Sequence, residues 1–337
     1  MKAAVLKSFN QPLEICDVDS PRIMEEDDVL IHIVRTGVCY RDILTVEGFF
    51  PQVKPPIILG HEIAGVVEDV GPQVSSFRRG DKVVSLTYIF CGKCSYCLSG
   101  RENLCRSRKW FGEHINGSYA EYVVVKERSL QHIPDRVNWN QAAISACVIG
   151  MLIHALRDQA GIKEGDTVLI TGAGGGVGIH AIQVAKAYGA KVIATTTSKH
   201  KVNAIWSVGA DDVILVKEGR FSKTVKDRYG GVDVALEAVG EPTFQETLRS
   251  LKWGGKVIVI GNINVKPVSL ALGLIILREN QVIGNISSTK SSLREALKLC
   301  REGKVKAIGE EMPLEKINEA HKKIKRKEVI GRVFISI

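Results

Sequence analysis

The chain has 337 residues, more than one ordinary core accommodates, so two domains are expected. Hydrophobic residues make up 45% and charged residues 25%, the balance of a globular protein and not of a disordered or fibrous one. Net charge is +9 with pI near 9.1, yet no recognition motif or basic–aromatic alternation points to nucleic acid.

The opening MKAAVLKSFNQPLEI carries no apolar core of signal-peptide length. The longest apolar stretch near the end, LALGLIIL at 270–277, is too short to span a bilayer. A cytoplasmic protein with no membrane partner is the expectation. In that reducing compartment, eight cysteines speak for metal or thiol chemistry over disulfides. The basic run HKKIKRKE at 321–328 reads as a solvated helix face, although a positive surface also suits phosphate-rich small substrates.

From the N-terminus to about 142, runs such as VLIHIV, IAGVVEDV, DKVVSL and YAEYVVV stand between Gly, Pro and Asp turns. They predict a β-rich domain of folded-over strands. From 143 the texture changes to TVLIT, VGIHAIQVAKAYG, KVIATTT, a helix to Gly209, then DVILV, VDVALEA, KVIVIG and QVIGNIS. Near-continuous apolar strands separated by helices predict a doubly wound α/β domain with a six-stranded parallel sheet. Beyond 289 the chain has helix-then-strand character. With the parallel sheet full, this tail is expected back in the first domain. The expected division is 1–142 with 289–337, and 143–288.

The run Cys91, Cys94, Cys97, Cys105 has the spacing C-x2-C-x2-C-x7-C, with Gly92, Ser95, Ser99 and Gly100 supplying the reversals. Four close thiolates surround one tetrahedral ion, zinc or iron, and leave no position for substrate, so a structural zinc is expected. Four more donors are scattered: Cys39, His61 with Glu62, and Cys147. Alone, each has a dull explanation; Cys147 is as well read as a small buried hydrophobe. Together they make two thiolates and one imidazole with a position open to water, substrate or Glu62, a catalytic arrangement for zinc. Asp42 is placed to orient a ligand, His61 foremost. Two zinc ions per chain are expected.

TVLITGAGGGVGIHAIQVAKAYGA reads as strand, glycine turn and helix. Gly174, Gly175, Gly176 and Gly178 let backbone approach a pyrophosphate seated at the N-terminus of a helix beginning near Val177. The fit to G-x-G-x-x-G is one residue imperfect, with Ala173 at the first position. Where an NAD enzyme carries an acid at the end of the second strand, this chain has Thr195, Thr196, Thr197, Ser198, Lys199, His200 and Lys201. NADP(H) is therefore expected, with Thr196, Ser198 and Lys201 as its contacts. The bland alternative makes the lysines the solvated start of a helix.

These motifs together resemble the zinc-containing medium-chain dehydrogenase/reductases, the alcohol dehydrogenase superfamily, over essentially the whole chain. The resemblance is carried by GHEIAGVVEDVGPQVSSFRRGDKV with Gly65, Gly71, Gly80 and Asp81, by the four-cysteine lobe, by GSYAEY at 117–122 and by the glycine turn. It implies a GroES-like catalytic domain plus a Rossmann domain, an active site in the cleft between them, and a homodimer or homotetramer. It places catalytic-zinc ligands at Cys39, His61 and Cys147, with Glu62 as an exchangeable ligand.

One departure stands out. Where alcohol dehydrogenases typically carry a Ser or Thr that relays the alcohol proton, this chain has Arg41, with Tyr40 before it. A guanidinium stays protonated and cannot relay. C-Y-R-D, GFFPQVKPPIILGHE, EPTFQETLRSLKWGGKVIVIGN and LGLIIL resemble a narrower branch, the acryloyl-coenzyme A reductases, which reduce the C=C of an acryloyl thioester with NADPH. The expected reaction is hydride transfer to the β-carbon of an enoyl thioester, with zinc or Arg41 stabilising the enolate and Tyr40 as candidate proton donor. The alternative is an alcohol dehydrogenase interconverting small alcohols and aldehydes or ketones. A non-catalytic nucleotide-binding role sits poorly with a full ligand set. Phe49, Phe50, Tyr88 and Trp110 are candidate pocket residues. Cys16, Cys300 and the remaining histidines take ordinary structural or solvent roles by default.

Overall fold

The computed structural model describes residues 1–216 and 219–337. Its contacts divide the chain into two compact units, one of 1–151, 287–303 and 309–337, the other of 152–286 and 304–308. The first unit runs past 142 because the helix Trp139–Ile144 and the turn after it pack on its own strands and on the helix Lys290–Arg301.

The first unit is built on the strand Asp28–Val38, which buries Val29, Ile31, Ile33 and Val38. One edge pairs antiparallel with Ile63–Val70, which in turn pairs with Lys82–Ser85 and so reaches Leu130–His132. The other edge is shared end to end by Tyr122–Lys126 and Arg332–Ser336, both antiparallel to it. The strand Gly309–Pro313 then pairs parallel with Arg332–Ser336. The C-terminal strand therefore joins the sheet of Asp28–Val38, with Val333 opposite Val38, so that Arg332, one residue earlier, falls beside Cys39. A small sheet of Lys2–Leu6, Glu14–Asp17 and Ile57–Ile58 covers a core of Val5, Leu6, Leu59, Tyr119, Ile317 and Ile335.

The second unit holds a six-stranded, wholly parallel sheet in the order Asp212–Leu215, Lys191–Thr196, Thr167–Ile170, Val232–Glu237, Leu251–Val259, Gln281–Gly284. This is the doubly wound α/β order, with the reversal beside the first strand. The central strands are near-continuous in apolar residues, as in VLI of Thr167–Ile170 and VIA of Lys191–Thr196, because helices cover both faces.

One element escaped sequence reading. The helical run Trp139–Ala160 has the length and apolar composition to cross a membrane, but 83% of its apolar window is buried inside the protein. It is a core helix. It widens to π-helical turns over Ser145–Gly150 and His154–Ala160.

Candidate functional site

Cys39 ends the central strand and caps the helix Tyr40–Val46, with φ −94° and ψ 147°. Asp42 closes the capping box, its Oδ2 accepting from Cys39 N at 3.0 Å. The same oxygen accepts from Tyr119 Oη at 2.7 Å, while Oδ1 lies 3.2 Å from His61 Nδ1. One carboxylate thus caps the helix and orients the imidazole. Nε2 of His61 then lies 3.3 Å from Cys147 Sγ. Cys147 arrives on the π-helical turn, a widening that recurs at functional sites.

One ligand atom each from Cys39, His61, Glu62 and Cys147 lies within 4.8 Å of the others. Around tetrahedral zinc, a sulfur and a nitrogen ligand stand about 3.5 Å apart, so the donors fit that ion. Their acid–base chemistry fits too. The hydrogen bond from Cys147 holds Cys39 well below the usual thiol range against burial, and the same bond, with burial, pushes Cys147 well above it. Burial opposes a proton on His61, but the Asp42 carboxylate and Cys39 outweigh it. Ligands that draw protons onto a shared centre are those on which a divalent cation replaces them.

Glu62 is fully buried against Arg332, which reaches both carboxylate oxygens, one of them from Nε at 3.3 Å. Arg332 Nη2 also lies 4.0 Å from Cys147 Sγ. Burial raises the Glu62 carboxyl and Arg332 pulls it back. The packing explains Gly37, because a Cβ there would stand 1.8 Å from Glu62 Oε2.

Arg41 turns its Nε to Glu113, whose other oxygen accepts from Gln52 Nε2 at 2.7 Å. Its Cζ is 4.4 Å from the Phe50 ring centroid and 5.6 Å from that of Trp110. Burial works against its charge, but Glu113 and the Cys39 and Cys147 sulfurs favour it. Tyr40 is different. Burial and the Glu47 carboxylate raise its phenol pKa, with Lys325 pulling the other way. Tyr88 is a correction to the expected pocket: it is fully buried and donates to Ser288 O at 2.8 Å, as core.

In the four-cysteine lobe, sulfur separations are 3.8 Å for Cys91–Cys97, 3.4 Å for Cys94–Cys97 and 3.6 Å for Cys91–Cys105. Two thiolates on one tetrahedral zinc stand about 3.8 Å apart, so this set also fits. Backbone N–H groups of Lys93 and Cys94 draw Cys91 down to about 6, while burial and Cys94 push Cys97 up to about 12.

In the second unit the glycine turn follows Thr167–Ile170 and the helix is Gly178–Ala187 with Val177 as its cap. Ala173 N donates to Thr195 O at 3.0 Å, which ties the turn to the end of the second strand. Thr196 is buried and its Oγ1 accepts from Ser198 N at 3.1 Å. Lys201 is buried as well, its stem against Gly174, where a Cβ would meet Lys201 Cδ at 2.6 Å.

Sequence reasoning missed Arg332, Tyr119, Glu113 and Glu237. The last is a fully buried carboxylate that accepts from Thr171, Val239, Gly240, Thr243 and Thr247 and so fixes the turn after Val232–Glu237. The signal that could have found it is an acid closing the apolar run VDVALE.

Residues 25–135 match the alcohol dehydrogenase GroES-like domain, and residues 176–302 match the zinc-binding dehydrogenase domain. The chain is 42% identical to an acryloyl-coenzyme A reductase of Sulfurisphaera tokodaii over 99% of each, and 40% identical to that of Metallosphaera sedula over the whole of both. It is 36% identical to an alcohol dehydrogenase of Geobacillus stearothermophilus over the whole of both. Among solved structures, AibC superposes with a TM-score of 0.92 at 39% identity, covering 100% of this chain and 95% of the other. This chain therefore belongs to the zinc-containing medium-chain dehydrogenase/reductases and is an oxidoreductase.

Proposed function

We propose that the protein transfers hydride from NADPH to the β-carbon of an enoyl thioester such as acryloyl-coenzyme A. The observation that carries this reading is Arg41. A guanidinium fixed beside the metal-ligand cluster occupies the position where alcohol chemistry needs a neutral hydroxyl relay. Cys39, His61 and Cys147 would hold the catalytic zinc, with Glu62 in reserve, and Cys91, Cys94, Cys97 and Cys105 the structural one. When bound, the metal supplies Lewis acidity and the reduced nicotinamide supplies the hydride. Arg41 donates to the thioester oxygen as charge gathers there, and the Phe50 and Trp110 rings flank that guanidinium. Asp42 keeps Nε2 of His61 on the metal side. The α-carbon of the resulting enolate then takes a proton, and Tyr40, whose raised phenol pKa keeps it protonated, is the candidate donor.

The first unit is the catalytic domain in this reading, and the second binds NADP(H). Gly174, Gly175, Gly176, Val177 and Gly178 would cradle the pyrophosphate. Thr196, Ser198 and Lys201 would take the 2′-phosphate, in a stretch with no acid to repel it. The enzyme would work as a homodimer or homotetramer. In support, Leu272, Ile276 and Leu277 are largely exposed on Leu272–Arg278, next to the edge strand Gln281–Gly284.

A second reading, a zinc alcohol dehydrogenase, is favoured by the complete set Cys39, His61, Cys147 and Glu62. Following NADPH oxidation with acryloyl-coenzyme A against small aldehydes, with NADH in parallel, separates the two. Consumption with the thioester and little with aldehydes is expected. An inert thioester with rapid aldehyde reduction would establish the second reading, and preference for NADH would reject the assignment of Thr196 to Lys201.

A further inference from the structure

Arg41 is built into its place. Its partner Glu113 has a side chain only 4% exposed, whereas that of Arg41 is 36% exposed. The carboxylate is inside and the guanidinium reaches outward from it. A buried carboxylate without partners is costly; Glu113 is satisfied by Arg41 Nε on one oxygen and Gln52 Nε2 on the other. Gln52 and Glu113 line a cavity of about 380 Å³ together with Lys54 and His114. The guanidinium is further confined by Phe50 and Trp110, and Trp110 also carries Arg108 at 5.2 Å. Among the described residues, Nε is the only Arg41 nitrogen with a hydrogen-bond acceptor. Its two Nη groups have no acceptor among those residues. A free arginine samples many rotamers, and this one has been confined before any ligand arrives.

We propose that Glu113, seconded by Gln52, is a positioning residue that fixes Arg41 so that its Nη groups donate to the carbonyl oxygen of the substrate. The role of that oxygen rests on the reductase reading above; the fixing of Arg41 by Glu113 does not. Charge on the oxygen grows as hydride arrives, so a correctly aimed guanidinium helps the transition state more than the bound substrate. Loss of the aim should appear in kcat with little change in KM.

The test is a mutant cycle on the zinc-loaded, full-length enzyme: Glu113→Gln, Arg41→Ala and the double variant, with Glu113→Asp as the conservative control. Acryloyl-coenzyme A and propanal are the substrates. Zinc content and the Arg41 Nε–H NMR resonance, assigned by its absence in Arg41→Ala, are the independent readouts. Glu113→Gln should lower kcat by roughly 10- to 100-fold, the range for a lost charge-assisted hydrogen bond. It should cost nothing further once Arg41 is alanine, leave zinc content intact and move the Nε–H resonance upfield. Glu113→Asp should recover part of the rate. Equal losses in both backgrounds, loss of zinc, or an unmoved resonance would overturn the proposal. If only propanal is reduced, the enoyl thioester reading fails alone, and the same cycle on propanal decides the role of Glu113. If neither is reduced, the resonance decides it.

Discussion

Beside the proposed metal ligands, single residues carry opposite charges in a buried place, and Glu62 with Arg332 shows the cost. Breaking a buried pair from one side leaves an uncompensated charge. Arg332→Met should therefore destabilise the protein by about 3–5 kcal/mol in urea unfolding. Adding Glu62→Gln should recover much of that loss, because the remaining group is neutral; an unchanged loss would mean the packing of Arg332, not its charge, matters. His321 makes the opposite case, a buried base held neutral. Burial lowers its pKa to about 4, with Asp42 pulling upward and Lys325 downward, and among the described residues its Nε2 has no partner. An unfolded histidine titrates near pH 6.5. As pH falls, the unfolded chain takes up the proton first. Stability is thus full above about 6.5 and drains away toward pH 4, a swing of roughly 3 kcal/mol. Urea midpoints at pH 7, 5 and 4 should lose this slope in His321→Leu, and identical slopes in both proteins would refute it.

With the proposed zinc on its four sulfurs, the four-cysteine lobe would be an element whose fold is its metal site. Its regular structure is slight: the two-residue strands Tyr88–Ile89 and Lys109–Trp110, one short helix and one 3-10 turn. Apolar support comes from Leu86, Tyr88, Phe90, Leu293 and Leu297 beneath it. Glu102, buried in the lobe, accepts from Lys290 N at the start of Lys290–Arg301, so a disordered lobe would also take a carboxylate away from that helix's N-terminus, leaving it the Thr289–Ser292 capping box. Metal binding in such a segment is folding free energy. Cys94→Ser should cut bound zinc by one ion per chain and lower the melting temperature. It should also make residues 91–110 the first site of proteolytic cleavage. Full zinc content by elemental analysis would show that the lobe does not hold the ion. The lobe was legible in the sequence because its four sulfurs are near neighbours along the chain. So were the parallel strands, since burial on both faces leaves near-continuous apolar runs. The π-helical turn at Cys147 left no such trace, because helix widening changes hydrogen-bond partners without changing composition.

At the scale of the whole molecule, what the sequence hid is what the sheet brings from afar. Arg332 reaches Glu62 only because the last strand pairs with Asp28–Val38, and Glu113 reaches Arg41 across a loop. Register has no local signature, so neither partner could be named from its neighbours. The exposed edge of the second unit is the converse, a feature whose partner lies outside the chain. The strand Gln281–Gly284 ends the parallel sheet with one edge unpaired among the described residues, and Val282 on it is 38% exposed. Beside it Leu272, Ile276 and Leu277 are 62%, 73% and 75% exposed. An unpaired edge is a template for another strand, and grouped exposed aliphatics are uncommon on monomers. A second copy related by a two-fold axis would cover both, because the same edge meets itself. Light scattering after size exclusion should therefore give a multiple of the 36.9 kDa chain mass. Ile276→Asp with Leu277→Asp should halve the assembly while leaving the bound zinc unchanged. A wild-type protein at the single-chain mass, or a double variant that keeps its mass, would show that this edge does not carry the assembly.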